Sequence, residues 1–254
     1  MRIISTALLF SLLAAATPAS AAHYDIIVYS TPKAGEEQAF SQGQVARNAE
    51  ALKLPGFKTA RRFQVKAIEN PATVLGNYFT VYGVEADNPD APAAALANLG
   101  PAPGELSAIT AIYSPIGAVK HVPADVPNGT VTPLPVPGKT KAIHYFLFAH
   151  LNAGATPQGE KDFNDTYDKL HFPDVLRNPG FLWGVREKLV ANKTPGRGAQ
   201  GYLAMYEFQT YDLDVSIGEV RRRLKVGLTH PFPKGSTIPP SMTLYALPVA
   251  DTHS

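Results

Sequence analysis

The spacing of apolar positions predicts six elements in the first half of the chain and the same six, in the same order, in the second. Residues 24–30 form a compact apolar run of strand length, closed by the proline and glycine of residues 32–35. Residues 36–52 then place Ala39, Phe40, Val45, Ala46, Ala49 and Leu52 on one broad helical face. Leu54-Pro55-Gly56 stops that helix, because proline disfavours helical geometry in its predecessor and glycine accepts the turn. Residues 57–66 and 77–85 read as strands, 91–99 as a short helix and 108–113 as a closing strand. The second half predicts strand 142–150, helix 160–176, strands 181–190 and 201–208, helix 213–224 and strand 242–247.

The two halves are copies. Pro55-Gly56-Phe57 recurs as Pro179-Gly180-Phe181, an offset of 124 residues that also carries Arg62 onto Arg186, Tyr78 onto Tyr202 and Tyr82 onto Tyr206. Each β-α-β-β-α-β unit folds as an α+β, ferredoxin-like layer, a four-stranded antiparallel sheet with both helices on one face. A second copy supplies the cover for the other face, so the expected architecture is an intramolecular dimeric α+β barrel. The units span 23–116 and 142–254, and the proline-rich stretch 117–141 between them reads as an extended linker.

Met1-Arg2, an apolar run and the small-residue exit at 19–22 have the form of a secretory signal peptide cleaved after Ala21 or Ala22. That predicts a periplasmic or secreted protein with no membrane attachment after cleavage. Twenty-three Lys and Arg against 21 Asp and Glu leave a net charge of +2, too balanced for the footprint of a nucleic-acid binder. With no cysteine, disulfides, thiolate metal sites and cysteine nucleophiles are excluded. Neither a Gly-x-Ser-x-Gly elbow nor a His-Glu-x-x-His motif is present.

Candidate chemistry concentrates in the second unit. Asn164, Tyr167, His171 and Asp174 follow one another at helical spacing, with Pro173 able to end the helix before Asp174. Facing a cavity, His171 would shuttle a proton, Asp174 would orient it and Tyr167 would donate a hydrogen bond to a substrate oxygen. The bland alternative is packing by Tyr167, a helix-capping role for His171 and a solvated Asp174. Asn164, Arg186, Trp183 and Tyr202 are candidate substrate contacts. His144 and His150 share a strand face and with His171 raise a metal or haem site, but the spacing carries no metal signature, and no cofactor is expected. Arg221-Arg222-Arg223 reads as a solvated helix end, and the glycine-containing stretch 194–201 as a hairpin loop.

The helix containing Tyr167 and His171, followed by Pro173-Asp174-Val175 and Pro179-Gly180-Phe181, resembles the EthD family of the dimeric α+β barrel superfamily. The first unit matches at Thr31-Pro32-Lys33-Ala34-Gly35-Glu36, at 55–57 and at Ala60-Arg61-Arg62-Phe63, but has Arg47 in place of His171 and Gly43 in place of Tyr167, so its site reads as vacated. The resemblance implies a small apolar or aromatic ligand and a site in unit two. The superfamily spans isomerases, aromatic cyclases, cofactor-free monooxygenases and haem-binding branches, so cofactor-independent acid-base chemistry stands beside a noncatalytic ligand-binding or accessory role, with haem third. One chain supplies both sheets, which allows a monomer with an internal pseudo-dimer or a homodimer.

Overall fold

The computed structural model describes residues 21–70, 76–123, 125–126, 132–194 and 200–253. Residues 1–20 of the expected signal peptide and most of the expected hairpin loop at 194–201 lie outside them. Unit one contains β1 (Ala22–Pro32), α1 (Glu37–Ala51), β2 (Phe57–Glu69), β3 (Tyr78–Ala86), α2 (Asp90–Asn98) and β4 (Glu105–Pro115). Unit two contains β6 (Ile143–Ala153), α3 (Pro157–Thr166), α4 (Phe172–Leu176), β7 (Phe181–Asn192), β8 (Tyr202–Thr210), α5 (Leu213–Lys225) and β9 (Thr237–His253). Between the units, Lys120–His121 form the short β5. Among the described residues no helix is long and apolar enough to cross a membrane.

The fold is the α+β arrangement that the repeat predicts. Strands run in the order β4-β1-β3-β2-β9-β6-β8-β7, and β4 pairs with β7 to close an all-antiparallel barrel. Each unit contributes four consecutive strands, and closure removes the exposed edges that an open sheet would present. Alternation along the strands separates two layers. Phe63, Phe79, Phe146, Phe148, Tyr29 and Tyr113 fill the barrel interior, while α1 and α2 cover one outer face and α3, α4 and α5 the other.

The repeated Pro-Gly-Phe turns serve the same backbone geometry. Gly56 and Gly180 have φ of 87° and 85°, and a Cβ would lie 2.6 Å from the Glu85 carbonyl oxygen in one turn and 2.0 Å from that of Gln209 in the other. Each glycine carbonyl accepts the amide of that same neighbour, at 2.9 and 2.8 Å. The turns thereby pin β2 to β3 and β7 to β8 at matching points.

Two expectations change. The linker is not simply extended: β5 adds to β7, and Arg177 makes paired hydrogen bonds to Asp125 at 3.0 and 2.9 Å. The helix expected at 160–176 is interrupted, because Tyr167–His171 form a π turn between α3 and α4. Pro173 has no amide to donate back to the preceding turn, and the extra residue of a π turn lets the chain pass that gap and resume.

Candidate functional site

The π turn places Tyr167 and His171 against the outer face of the unit-two sheet. There a cavity of about 500 Å³ is lined by Leu147 and Ala149 of β6, Thr243 and Tyr245 of β9, and Val220, Arg221 and Leu224 of α5. A second cavity of about 490 Å³ shares Ala149, Tyr167, His171, Leu224 and Thr243 and continues toward Phe232 and Ile238. The walls are mixed: Leu147, Ala149, Val175, Val220 and Leu224 supply apolar surface, and Glu69, Arg221, Thr229, Thr243 and the tyrosine hydroxyls supply polar groups beside His171.

His171 is held on three sides. Its ring stacks on Phe232 at a centroid distance of 4.6 Å and meets Tyr167 edge-on at 5.1 Å. Nδ1 lies 2.7 Å from the carbonyl oxygen of His230, which only accepts, so Nδ1 carries the proton and donates it there. Nε2 of the neutral ring therefore keeps its lone pair. Burial lowers the His171 pKa below its ordinary 6.5, against smaller raising contributions from the His230 carbonyl and the Asp174 charge. The imidazole is thus neutral at pH 7, the form that accepts a proton. Tyr167 is buried, its phenol pKa raised by desolvation, and its oxygen lies 3.5 Å from the donating hydroxyl of Tyr206.

Asp174 does not orient His171 directly. Its Oδ2 accepts the His230 amide at 3.0 Å and the His230 ring Nδ1 at 2.5 Å, and its Oδ1 accepts Arg177 at 3.3 Å. Because α4 begins after the π turn, Asp174 leaves the line of His171 and holds the loop whose carbonyl holds His171. It is a positioning residue at one remove.

The expected substrate contacts are differently placed. Arg186 is 4% exposed and braces the helix: Nη1 donates to Asp168 and Nη2 to Asn164, both at 2.8 Å, and the guanidinium lies 4.1 Å from the Tyr167 ring centroid. Asn164 also donates to Tyr202 at 3.2 Å, and Tyr202 donates to Glu160, so both are committed to holding α3 on the sheet. None of these three lines either cavity. Trp183 lies on the opposite sheet face, against the barrel interior, where Nε1 donates to Glu207 at 2.5 Å.

The three histidines do not assemble. His150 points into the barrel, where Nε2 meets the Tyr29 hydroxyl at 2.7 Å; His144 pairs with Glu207 at 2.8 Å; His171 stands on the other side of the sheet. Among the described residues no cluster of His, Asp and Glu suits a metal ion. Tyr206, one of the strand aromatics that could line a cavity or pack the core, does line this one, and Tyr245, His230 and Phe232 belong to the site without having been expected there. Tyr206 and the Pro-flanked His230-Pro231-Phe232 segment were visible in the sequence, but nothing in their spacing ties them to His171. Arg221 is exposed, as expected of a solvated helix end, and also pairs with Glu69 at the cavity wall, where Glu69 accepts the Tyr245 hydroxyl at 3.0 Å.

No protein-family model matches the chain, and no curated protein matches it. Among solved structures the chain is similar to an anthrone oxidase-like protein, with 13% identity, a TM-score of 0.58, and 91% of this chain and 93% of that chain covered. It is also similar to a protein of Fusobacterium nucleatum subsp. nucleatum named as a candidate monooxygenase, with 8% identity, a TM-score of 0.50 and coverage of 93% and 96%. Both likenesses extend over nearly the whole chain, and the fold is that of the dimeric α+β barrel proteins.

Proposed function

We propose that the unit-two cavity binds a compact aromatic or enolisable molecule and that His171 removes a proton from it, without a cofactor, so that the resulting carbanion reacts with oxygen. The observation that carries this reading is the His171–His230 hydrogen bond, which fixes the tautomer and leaves an unprotonated Nε2 on a residue that lines the cavity. The EthD-like residue pattern of 160–181 and the oxygenase-type names of the two structural neighbours support it, and the N-terminal segment supports export to the periplasm or beyond.

For a doubly activated methylene the balance is R₂CH₂ + O₂ → R₂C=O + H₂O. Nε2 takes one C–H proton, and Tyr167, whose own hydroxyl proton is not used by Tyr206, donates to the substrate oxygen that gains negative charge. Oxygen accepts the electron pair as the C–O bond forms, the imidazolium returns the proton to give a hydroperoxide, and loss of water leaves the ketone. Burial of the ring disfavours the ionised imidazolium, which makes return of the proton fast.

Anthrone is the first probe, with oxygen uptake and product absorbance measured above the spontaneous background. Replacing His171→Ala is expected to lower the catalysed rate by about 10²-fold or more while leaving the melting temperature near the wild-type value. A wild-type protein that does not accelerate oxidation of anthrone or of related phenolic ketones overturns the oxygenase reading. Equal rates in wild type and His171→Ala remove the base from His171.

The same free Nε2 supports a second reading, in which His171 would hold the iron of haem and Arg221 would offer a positive charge to its acidic groups, because an imidazole whose Nδ1 donates to a carbonyl is a suitable iron ligand. Haem added to the purified protein separates the two: a Soret shift that disappears in His171→Ala favours this second reading.

A further inference from the structure

The unit-one site that reads as vacated in the sequence is a cavity of its own. Strand register shows the equivalence. Val28 stands opposite Thr80 on β3 and Thr110 on β4, as Ala149 stands opposite Ala204 on β8 and Thr243 on β9. Thr80 and Ala204 are related by the 124-residue offset of the repeat, as are Arg47 and His171, and Ala97 and Arg221. Ala149, His171, Arg221 and Thr243 line the unit-two cavity; their counterparts Val28, Arg47, Ala97 and Thr110 line a cavity of about 260 Å³ between α1, α2 and the unit-one sheet.

Arg47 is incompletely satisfied there. Its side chain is 11% exposed, and Nε and Nη1 are buried without a hydrogen-bond partner among the described residues. Its nearest carboxylate oxygen, Glu105 Oε2, is 3.8 Å away, an ion pair too long for a hydrogen bond. Glu105 already accepts from Ser30 Oγ at 2.5 Å, the Ala102 amide at 3.0 Å and Gln44 at 3.4 Å, so its position is set without Arg47. At the other side of the cavity Lys193 is neutralised by Asp90 at 2.6 Å. Arg47 is left as the cation with donors to spare, in a chamber whose remaining wall is Val28, Thr110 and the alanines and leucine of α2. A planar guanidinium with five N–H donors matches a carboxylate in particular, and an apolar chamber favours a carboxylate with a compact hydrocarbon body.

We propose that the unit-one cavity is a binding site for a compact apolar carboxylate, whose anionic group is held by Arg47. Two homologous cavities in one chain then carry different chemistry, proton transfer at His171 and anion recognition at Arg47. The proposal does not depend on the oxygenase reading, because no residue of the unit-two cavity takes part in it.

Calorimetric titration of the full chain with sodium benzoate tests it, with benzamide as the neutral counterpart. Benzoate is expected to bind one site per chain, at least tenfold more tightly than benzamide. Arg47→Met is expected to lose at least tenfold in affinity, Arg47→Lys to lose less, and His171→Ala to bind as wild type. Ala97→Leu, which fills the chamber and leaves every charge in place, is expected to block binding, and its melting temperature and that of Arg47→Met report whether the fold is intact. Absence of benzoate binding up to roughly 10 mM overturns the proposal. So does binding that survives both Arg47→Met and Ala97→Leu, binding matched by benzamide, or binding that responds to His171→Ala and not to Arg47→Met.

Discussion

The helix layers of the two units share a frame and differ at the positions that carry chemistry. Arg62 and Arg186 do the same work in each: Arg62 donates to the Ser41 carbonyl and hydroxyl at 2.8 and 3.0 Å, and Arg186 to Asp168 and Asn164, both holding the first helix of the unit on its sheet. Around that brace the units diverge. In unit one α1 runs unbroken from Glu37 to Ala51, and at the counterpart of Tyr167 a side chain is excluded, because a Cβ on Gly43 would lie 2.5 Å from the Pro103 ring. In unit two Pro173 breaks the helix, the π turn swings Tyr167 and His171 over the sheet, and the cavity is about 500 Å³ against about 260 Å³. A duplicated scaffold thus retains its braces and turns while one copy opens a chamber around an imidazole and the other narrows one around a guanidinium.

If the frame is shared, equivalent turns should tolerate substitution in proportion to local crowding. Gly180→Ala places a methyl 2.0 Å from the Gln209 carbonyl oxygen, a backbone atom that cannot yield alone, on top of the cost of positive φ; a loss of about 3–4 kcal/mol is expected. Gly56→Ala, with 2.6 Å to the Glu85 carbonyl oxygen, is expected to lose about 1–2 kcal/mol. Urea unfolding of the two variants orders them; equal losses would mean that crowding against the neighbouring carbonyl does not set the cost.

The frame was legible in the sequence because it depends on local signals. The offset of the Pro-Gly-Phe turns, apolar periodicity and breakers locate the elements of each unit, most of them within a few residues, but β9 is much longer than the expected 242–247, running Thr237–His253. The site was legible only in part. His171 and Tyr167 stand out as a polar stripe, but the π turn that aims them arises from a missing amide at Pro173 acting through packing on β6 and β9. Trp183 was misplaced because strand parity says which residues share a face and not which face looks into the barrel. His230 acts through its backbone carbonyl, which side-chain chemistry does not reveal, and the Asp174–His230 contact joins residues 56 positions apart.

A second comparison runs through the barrel axis, where Tyr29 of β1 and His150 of β6 occupy equivalent positions, opposite Phe79 and Leu203, and bond to each other. Tyr29 stays neutral over the working range, burial holding its pKa well above 10. His150 is fully buried and its pKa is pushed down to about 4 by desolvation. In the unfolded chain it takes a proton near 6.5, so its neutral form contributes stability that is complete above pH 6.5 and is lost as the pH falls toward 4, up to about 3 kcal/mol. His150→Gln is expected to remove that acid-side slope. Stability curves of wild type and variant that stay parallel between pH 7 and 4 would show that His150 does not titrate between the folded and unfolded states.

The smallest effect probes Asp174, whose counterpart at the repeat offset is the exposed Glu50, paired with Lys53 at 2.6 Å and lining none of the three cavities described above. The Asp174 charge raises the His171 pKa, while burial and the other neighbouring charges set it below 6.5 overall. Since the neutral ring is the base, kcat/KM falls as acid protonates it, with the limb below pH 6.5. Asp174→Asn removes the charge, so the His171 pKa drops further and the acid limb moves to lower pH. At neutral pH the rate should fall only about 3- to 10-fold, through looser positioning of the His230 carbonyl, because the Asn oxygen can still accept both the His230 amide and ring N–H while its NH2 faces Arg177, which loses its acceptor there. Glu50→Gln should change neither quantity. A limb that moves upward in Asp174→Asn, or moves equally in Glu50→Gln, would show that the path from Asp174 through His230 to His171 does not tune the base.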